Sequence, residues 1–291
     1  MTQRIIATLW SKLPQEFYYT GEPTPWVQMT RPGQNLHSFL EGPCFDNHGN
    51  MWLVDVPYGR IFKISPDGEW TLHKNYVGEP HSIKQKSDGN FILTDHKNGL
   101  LEYDGEDEFK ILASDYKGEN FKGLSDLTIA PNGDIWFTDS GRTSLSDPTG
   151  NVFRYKTDGS LHHVLNNVPY PNGIALSPDG SLVYLSATRA NAVWRFLADY
   201  PDPVWPMVGT YIQLSGGLGP DGLAAQDNGN LAVAQAQAGR AYVYSIIGDL
   251  IATVYLPEGV WSTDVIYQQN KLYIIEAQTG SIYTAEIIGT L

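Results

Sequence analysis

Short apolar runs alternate with polar turns along most of the chain. An Asn-Gly pair precedes the apolar residues Ile174–Leu176, an Asp-Gly turn follows, and two further apolar runs come before residue 197. Such short alternating runs, bounded by Gly, Pro, Asn and Asp, predict β-strands joined by hairpins rather than helices. The pattern predicts hairpin turns after first strands at Asp88, Asn132, Asp179 and Asn228, and a similar turn after a third strand at Asp67.

This pattern recurs six times, and each copy opens on a polar residue. The opening residues are 40 to 49 positions apart, and they are Glu41, His81, Asp126, Asn172, Asp221 and Asp264. Six repeats of three or four strands predict an all-β fold, a six-bladed β-propeller, with residues 1–291 as a single domain. The last repeat lacks an outer strand. We expect the N-terminal segment near 4–10 to supply that strand and close the ring.

In a propeller the first strand of each blade lines the central channel, so the six opening residues should meet at one channel mouth. Four of them are carboxylates, and these repel one another unless a cation or protons compensate. Oxygen donors of this kind favour Ca²⁺, with Mg²⁺ or Mn²⁺ as alternatives. A closed structural zinc site is disfavoured because only one His, His81, and no Cys is aligned with them. We interpret Asp55, Asp95 and Asp139, which end second strands, as blade-to-blade or loop hydrogen bonders.

Composition excludes several classes of function. The chain has a net charge of -13 and a pI near 4.8, which disfavours nucleic-acid and anionic membrane partners. Its one cysteine, Cys44, allows no intrachain disulfide. No apolar stretch reaches the roughly 18 residues of a membrane span, and the N-terminal apolar run is too short for a signal-peptide core. We therefore expect a cytoplasmic protein with a small-molecule substrate; its oligomeric state stays open.

Four motifs carry a resemblance to a known family. They are "LEGPCFDNHGNMWLVD", "SDLTIAPNGDIWFTDS", "YPNGIALSPDG" and "GPDGLAAQDNGNLAVA". In their order and spacing the chain resembles the gluconolactonase family of six-bladed propellers, which includes senescence marker protein and luciferin-regenerating enzyme. The resemblance implies hydrolysis of lactones and a divalent metal, commonly Ca²⁺ with Mn²⁺, Mg²⁺ or Zn²⁺ as alternatives, held by Glu41, Asn172 and Asp221.

The chain departs from that family's pattern in blade three. The usual Asn-Asp pair is Ser125-Asp126 here, and a Ser hydroxyl reaches less far than an Asn amide. The neighbouring residues, Leu124 and His81, offer few groups for sugar hydroxyls. This departure from the family's pattern predicts a substrate that is less hydroxylated than gluconolactone, in contact with His81, Ser125 and Asp126.

Our leading hypothesis is metal-dependent hydrolysis of a lactone or related cyclic ester, with the metal polarising the carbonyl group and a water attacking it. Asp221 is the predicted base that activates the water, and Asp126 is the alternative base. Three other readings stay open: phosphotriester hydrolysis, a lyase or isomerase step, and a non-catalytic propeller that binds metal or protein. We expect the insert 141–150, and also residues 20–38, to overhang the pocket. The place of Trp205 stays undecided.

Overall fold

Five four-stranded antiparallel sheets and one five-stranded sheet surround a central channel in the computed structural model, which describes residues 2–200 and 206–287. The first strand of each blade contacts the first strands of both neighbouring blades, and the contact between blades six and one closes the ring. The predicted six-bladed propeller is thus confirmed. Trp205 lies outside the described residues. In the part of the chain that is described, no helix is long and apolar enough to cross a membrane.

Each blade runs from its first strand at the channel to an outer strand at the rim. The strands of blade one are Leu40–Phe45, Met51–Asp55, Arg60–Ile64 and Trp70–Asn75. Those of blade two are Pro80–Gln85, Phe91–Asp95, Gly99–Tyr103 and Phe109–Ala113. Those of blade three are Leu124–Ile129, Ile135–Asp139, Gly150–Tyr155 and Leu161–Val168.

The second half of the ring repeats this order. The strands of blade four are Pro171–Leu176, Leu182–Ala187, Ala192–Leu197 and Gly209–Gln213. Those of blade five are Gly219–Ala225, Leu231–Ala236, Arg240–Tyr244 and Leu250–Tyr255. Those of blade six are Ser262–Gln268, Lys271–Glu276, Ser281–Glu286 and, from the N-terminus, Thr8–Lys12.

The N-terminal segment closes the ring as predicted, but it does so with only part of its length. Thr8–Lys12 pairs antiparallel with Ser281–Glu286 and is the outer strand of blade six. Residues Gln3–Ile6 instead pair parallel with Leu250–Tyr255 and add a fifth strand to blade five. The buried Ala7 lies between the two strands, and its N–H donates to the Tyr255 carbonyl at 2.9 Å. One segment therefore joins two blades.

Polar side chains shape the turns and loops as the sequence predicts. At the four predicted hairpin turns an Asp or Asn oxygen accepts the N–H two residues ahead, at 3.0 to 3.1 Å: Asp88, Asn132, Asp179 and Asn228. The three acids that end second strands accept the N–H that precedes the first strand of their own blade: Asp55 from Phe39, Asp95 from Glu79, and Asp139 from Gly123. These acids thereby fix where each first strand begins.

Apolar clusters fill the space between every pair of neighbouring blades. Between blades one and two, for example, Trp52 packs on Phe91 with ring centroids 4.5 Å apart. A further cluster lies outside this series, at one end of the channel, where Trp26 and Val27 pack against Phe39. These two residues belong to the short helix Pro25–Thr30, whose start is favoured by Pro25 and by Thr24 Oγ1, which accepts the Val27 N–H at 3.4 Å.

The remaining short elements lie in the connections between strands. They are the 3₁₀ turns Gln15–Phe17, Val56–Tyr58 and Thr188–Ala190, and the small hairpin of Asp115–Tyr116 and Glu119–Asn120. The hairpin was not predicted from the sequence. The turn Thr188–Ala190 leads from the second strand of blade four and reaches the channel mouth.

Neighbouring first strands approach so closely that only glycine fits at several positions. A Cβ on Gly173 would lie 2.2 Å from the carbonyl oxygen of Asp221, and one on Gly42 would lie 2.4 Å from that of His81. Each glycine directly follows a predicted site residue, Asn172 or Glu41. The Asn-Gly pair at 172 is therefore explained by this close approach of two backbones rather than by a hairpin turn.

We predict that Gly173→Ala destabilises the protein by about 2–3 kcal/mol, because the added methyl group must push two first strands apart. The matched control is Gly209→Ala, at a position where an added Cβ meets nothing within 4 Å. Urea unfolding followed by tryptophan fluorescence measures both variants. Equal stabilities for the two variants would contradict the close approach.

Candidate active site

A cavity of about 270 Å³ opens at one end of the channel. Its floor is formed by first-strand residues from five blades: Glu41, His81, Ser125, Asn172 and Asp221. Directly below lies a space of about 10 Å³ that is also bordered by Asp126 and Asp264. All six opening residues predicted from the sequence therefore meet at one place.

Two of these six residues lie one position deeper than the alignment of the repeats placed them. Hydroxyl groups on second strands donate to the carbonyls of the next blade's opening residues: Thr94 to Ser125, Thr138 to Asn172 at 2.9 Å, and Ser186 to Asp221 at 2.6 Å. Ser125, rather than Asp126, thus occupies the position equivalent to Asn172. In blade six, Thr263 precedes Asp264 in the same way, and its hydroxyl donates to the Leu40 carbonyl at 2.8 Å.

Side-chain hydrogen bonds link the floor residues in two groups. The Asn172 carbonyl oxygen accepts from the Ser125 hydroxyl at 2.7 Å, and the Asn172 amide nitrogen donates to Asp221. His81 Nδ1 and Glu41 Oε2 are 3.0 Å apart. The other imidazole nitrogen of His81 is buried and has no partner among the described residues. The Ser125 hydroxyl therefore orients the amide despite the shorter side chain.

Asp126 is held from below by backbone groups. Its two carboxylate oxygens accept the N–H groups of Leu127 at 2.8 Å and Ile174 at 3.1 Å. It borders the small space but not the larger cavity, whereas Asp221 borders both. Of the two candidate bases, only Asp221 faces the space that a substrate can enter.

Burial and mutual repulsion perturb the acids of the floor. Burial, and then the charge of Asp126, raises the pKa of Glu41 to about 8. Burial and the charge of Glu41 raise the pKa of Asp221 well above the ordinary aspartate value, and burial together with Asp126 does the same to the pKa of Asp264. Arg31 is a basic group that opposes this in both Glu41 and Asp221. The floor therefore gathers acids whose ionised forms repel one another, and Arg31 offsets this repulsion only in part.

The donors on the floor fit a hard divalent cation. Carboxylate and amide oxygens are the ligands that Ca²⁺ prefers, and Glu41, Asn172 and Asp221 present such oxygens beside the 10 Å³ space. Among residues 2–200 and 206–287, no three His, Cys, Asp or Glu side chains are grouped to hold a metal. The predicted ligands are two carboxylates and one amide, so they do not form a group of three His, Cys, Asp or Glu side chains. A cation there would also balance the repelling acids.

Two segments overhang the cavity as predicted. Met29, Thr30 and Arg31 line it from residues 20–38, and the insert 141–150 contributes Arg142 and its neighbours. The Arg142 guanidinium joins the two segments, because it donates to the Met29 carbonyl and to the Thr30 hydroxyl, both at 3.3 Å. These segments form one lid-like wall above the floor.

Several residues of the cavity were not predicted from the sequence. His96 lies 5.5 Å from His81 between ring centroids, and burial lowers the pKa of both imidazoles to about 4, so they are neutral at pH 7. Tyr170 adopts a left-handed backbone conformation, with φ of 63°. Thr143 Oγ1 accepts the Tyr170 N–H at 3.1 Å and supports that conformation. The only sequence signal for Tyr170 was its place beside Pro171-Asn172.

Comparison with known proteins places the chain in a family. Residues 39–278 match the model of the SMP-30/Gluconolactonase/LRE-like region, and the chain belongs to this family. Lactonase drp35 of Staphylococcus aureus (strain USA300) is 29% identical over 253 residues, which cover 80% of this chain and 73% of that protein.

Solved structures share the fold. A gluconolactonase from Xanthomonas campestris superposes with a TM-score of 0.74 at 21% identity, covering 86% of each chain. Regucalcin from Agrobacterium tumefaciens, a calcium-binding protein, superposes with a TM-score of 0.75 at 18% identity, covering 100% of this chain and 98% of the other. At these identities the likeness establishes the propeller architecture alone.

We predict that the chelator-treated protein loses stability as the pH rises from about 5 to about 8. A glutamate in the unfolded chain releases its proton near pH 4.3, whereas folded Glu41 holds it to about pH 8. Across this window the folded state binds more protons, so deprotonation favours unfolding. The midpoint of thermal unfolding should fall by about 5 °C between about pH 6 and about pH 8.5.

Glu41→Gln should make this dependence shallower, since it removes one of the floor acids whose pKa is raised. Glu69→Gln, at an exposed turn residue, is the matched control and should keep the wild-type dependence. An unchanged slope in Glu41→Gln would show that another group is responsible.

Proposed function

We propose that this protein hydrolyses lactones with a divalent cation, first of all Ca²⁺, held by Glu41, Asn172 and Asp221. The observation that carries the proposal is the meeting of these three oxygen-bearing side chains on the floor of a cavity where ionised acids repel one another. Membership of the family and the relative named a lactonase support the type of reaction. The neighbour named a calcium-binding protein supports the choice of cation.

When bound, the cation supplies polarisation of the ester carbonyl group. The protein's own residues do the positioning. The Ser125 hydroxyl fixes the Asn172 carbonyl oxygen, and His81 holds Glu41 through its Nδ1. Because the pKa of His81 is lowered to about 4, its imidazole is neutral at pH 7 and contacts the substrate as a hydrogen-bonding group.

Asp221 is the base in this proposal. Its carboxylate takes a proton from a water whose oxygen adds to the carbonyl carbon. The bond between that carbon and the ring oxygen then breaks, and the ring oxygen receives a proton, which gives a hydroxy acid. Asp221 borders both the small space and the larger cavity, so its carboxylate can reach a water beside the substrate. Asp126, with its oxygens on two backbone N–H groups, instead holds the strand that carries Asn172.

We expect Asp221→Asn to lower kcat by about a thousandfold, in the range found when a general base is lost. Asp126→Asn should lower kcat by less than about tenfold, because its part is to position the strand. Steady-state kinetics on a hydrolysed lactone, with circular dichroism to confirm folding, compares the variants. A larger loss in a folded Asp126→Asn than in Asp221→Asn would reverse the assignment.

The first test of the proposal is lactone hydrolysis before chelation, after chelation and after return of Ca²⁺, Mn²⁺, Mg²⁺ or Zn²⁺. Activity should vanish with the metal and return with it, and Asn172→Ala should bind the metal at least about tenfold more weakly in calorimetry. The exposed Asn47→Ala is the matched control and should behave like wild type.

Two results would each contradict part of the proposal. Stoichiometric metal binding without activity on a broad panel of lactones and esters would keep the site and favour phosphotriester hydrolysis or a lyase or isomerase step. Hydrolysis that persists in metal-free protein would show that the reaction does not need the cation.

A further inference from the structure

Three arginines line the cavity above its acidic floor. Arg31 follows the helix Pro25–Thr30, Arg142 belongs to the insert 141–150, and Arg189 lies in the 3₁₀ turn Thr188–Ala190. They come from three separate connections, in a chain with only 19 Lys and Arg against 32 Asp and Glu. Cationic side chains are thus concentrated at the mouth of the cavity, here called the rim, although the chain as a whole is acidic.

None of the three is within 4.0 Å of a carboxylate in the described part of the chain. Arg31 packs over the Trp261 ring, with its guanidinium carbon 3.2 Å from the ring centre, and the charges of Glu41 and Asp221 act on it. Arg142 donates only to a carbonyl and a hydroxyl group. The Arg189 guanidinium lies 5.6 Å from the centre of the Tyr170 ring.

Arg142 and Arg189 therefore keep charges that the described residues do not neutralise. Both side chains are exposed, and both act electrostatically on Tyr170, as do Glu41 and Asp221 of the floor. Two guanidinium groups that line one cavity attract an anion that binds between or beside them. Guanidinium groups bind carboxylate and phosphate oxygens well, because their donors match two oxygens at once.

The apolar walls and the volume of the cavity limit the size and chemistry of the molecule that carries such an anion. Trp26, Phe39, Trp261 and Leu218 give the cavity an apolar side. Its volume of about 270 Å³ is slightly below the volume of about 300 Å³ at which small-molecule pockets typically begin. A single ring with one short charged substituent fits these limits, whereas a long acyl chain or an oligosaccharide does not.

We propose that the substrate is an anionic lactone, a small lactone ring with a carboxylate or phosphate substituent that Arg142 and Arg189 bind at the rim. This places the ester carbonyl at the floor and the anion at the opposite end of the cavity. The inference deepens the proposed lactone hydrolysis and rests on it. Arg31, already close to Glu41 and Asp221, marks the boundary between the acidic floor and the basic rim.

The kinetic test compares each anionic lactone with a neutral counterpart. One pair is γ-butyrolactone bearing a γ-carboxylate against the corresponding neutral carboxamide. The other is gluconolactone phosphorylated on its terminal hydroxyl against gluconolactone itself. We expect kcat/KM to be at least about tenfold higher for the anion of one pair, the factor that one charged hydrogen bond supplies. The pair that shows the preference distinguishes carboxylate from phosphate.

Variants then assign the preference to the rim. Arg189→Gln and Arg142→Gln should each lower the ratio of anionic to neutral kcat/KM, and Arg189→Lys should retain part of it because the charge is kept. Arg4→Gln removes the same charge from an exposed strand far from the cavity and should leave the ratio unchanged. Equal rates for anionic and neutral lactones, with no effect of the rim variants, would overturn the proposal while lactone hydrolysis stands.

A binding measurement separates this proposal from the reaction itself. Pyroglutamate is a lactam that resists hydrolysis and carries the same carboxylate as the first test lactone, and its amide is the neutral match. Calorimetry should show at least about fivefold tighter binding of pyroglutamate, reduced in Arg189→Gln. Such binding in a protein that hydrolyses no lactone would retain the anion site and reject the reaction. Failure of pyroglutamate and of both anionic lactones to be preferred would reject the anion site.

Discussion

The close packing of six first strands around one channel is the constraint on which the rest of the structure depends. At Gly42, Gly173 and Gly222 there is no room for a Cβ, because the next blade's first strand lies directly alongside. The residue before each glycine then has one free direction for its side chain, which is the channel mouth. Ring closure thereby forces Glu41 and Asp221 together in spite of their charge, and the strain of that arrangement is electrostatic rather than steric.

Charge is also separated along the axis of the cavity. The acids lie on the floor, the neutral His96 and aromatic rings lie in the walls, and the arginines lie at the rim. Because the acids lie on strands and the arginines lie on connections, the two ends of the cavity can change independently. Substitutions in the connections alter what is bound, while the floor is tied to the stability of the ring.

Much of this arrangement could be predicted from the sequence, because a repeat indicates both the fold and the position that equivalent residues share. The turns at Asp88 and Asn132, the closing N-terminal strand and the convergence of all six opening residues followed from that repeat. The offset of Asp126 did not, since residue type alone cannot show which of two adjacent polar residues faces the channel. Arg189 was missed because its place depends on how the 3₁₀ turn Thr188–Ala190 packs against Pro169 and Tyr170, which no local pattern records.

The fifth strand of blade five has a consequence of its own. Gln3–Ile6 covers the outer edge of Leu250–Tyr255, which would otherwise present unpaired backbone groups to other molecules. The same segment continues directly into blade six. A chain without residues 3–12 would lose the outer strand of blade six and uncover the edge of blade five at once, which exposes backbone groups that can pair with another copy. Residues 3–12 thus cover the outer edges of two blades whose other strands all lie at or after Gly219.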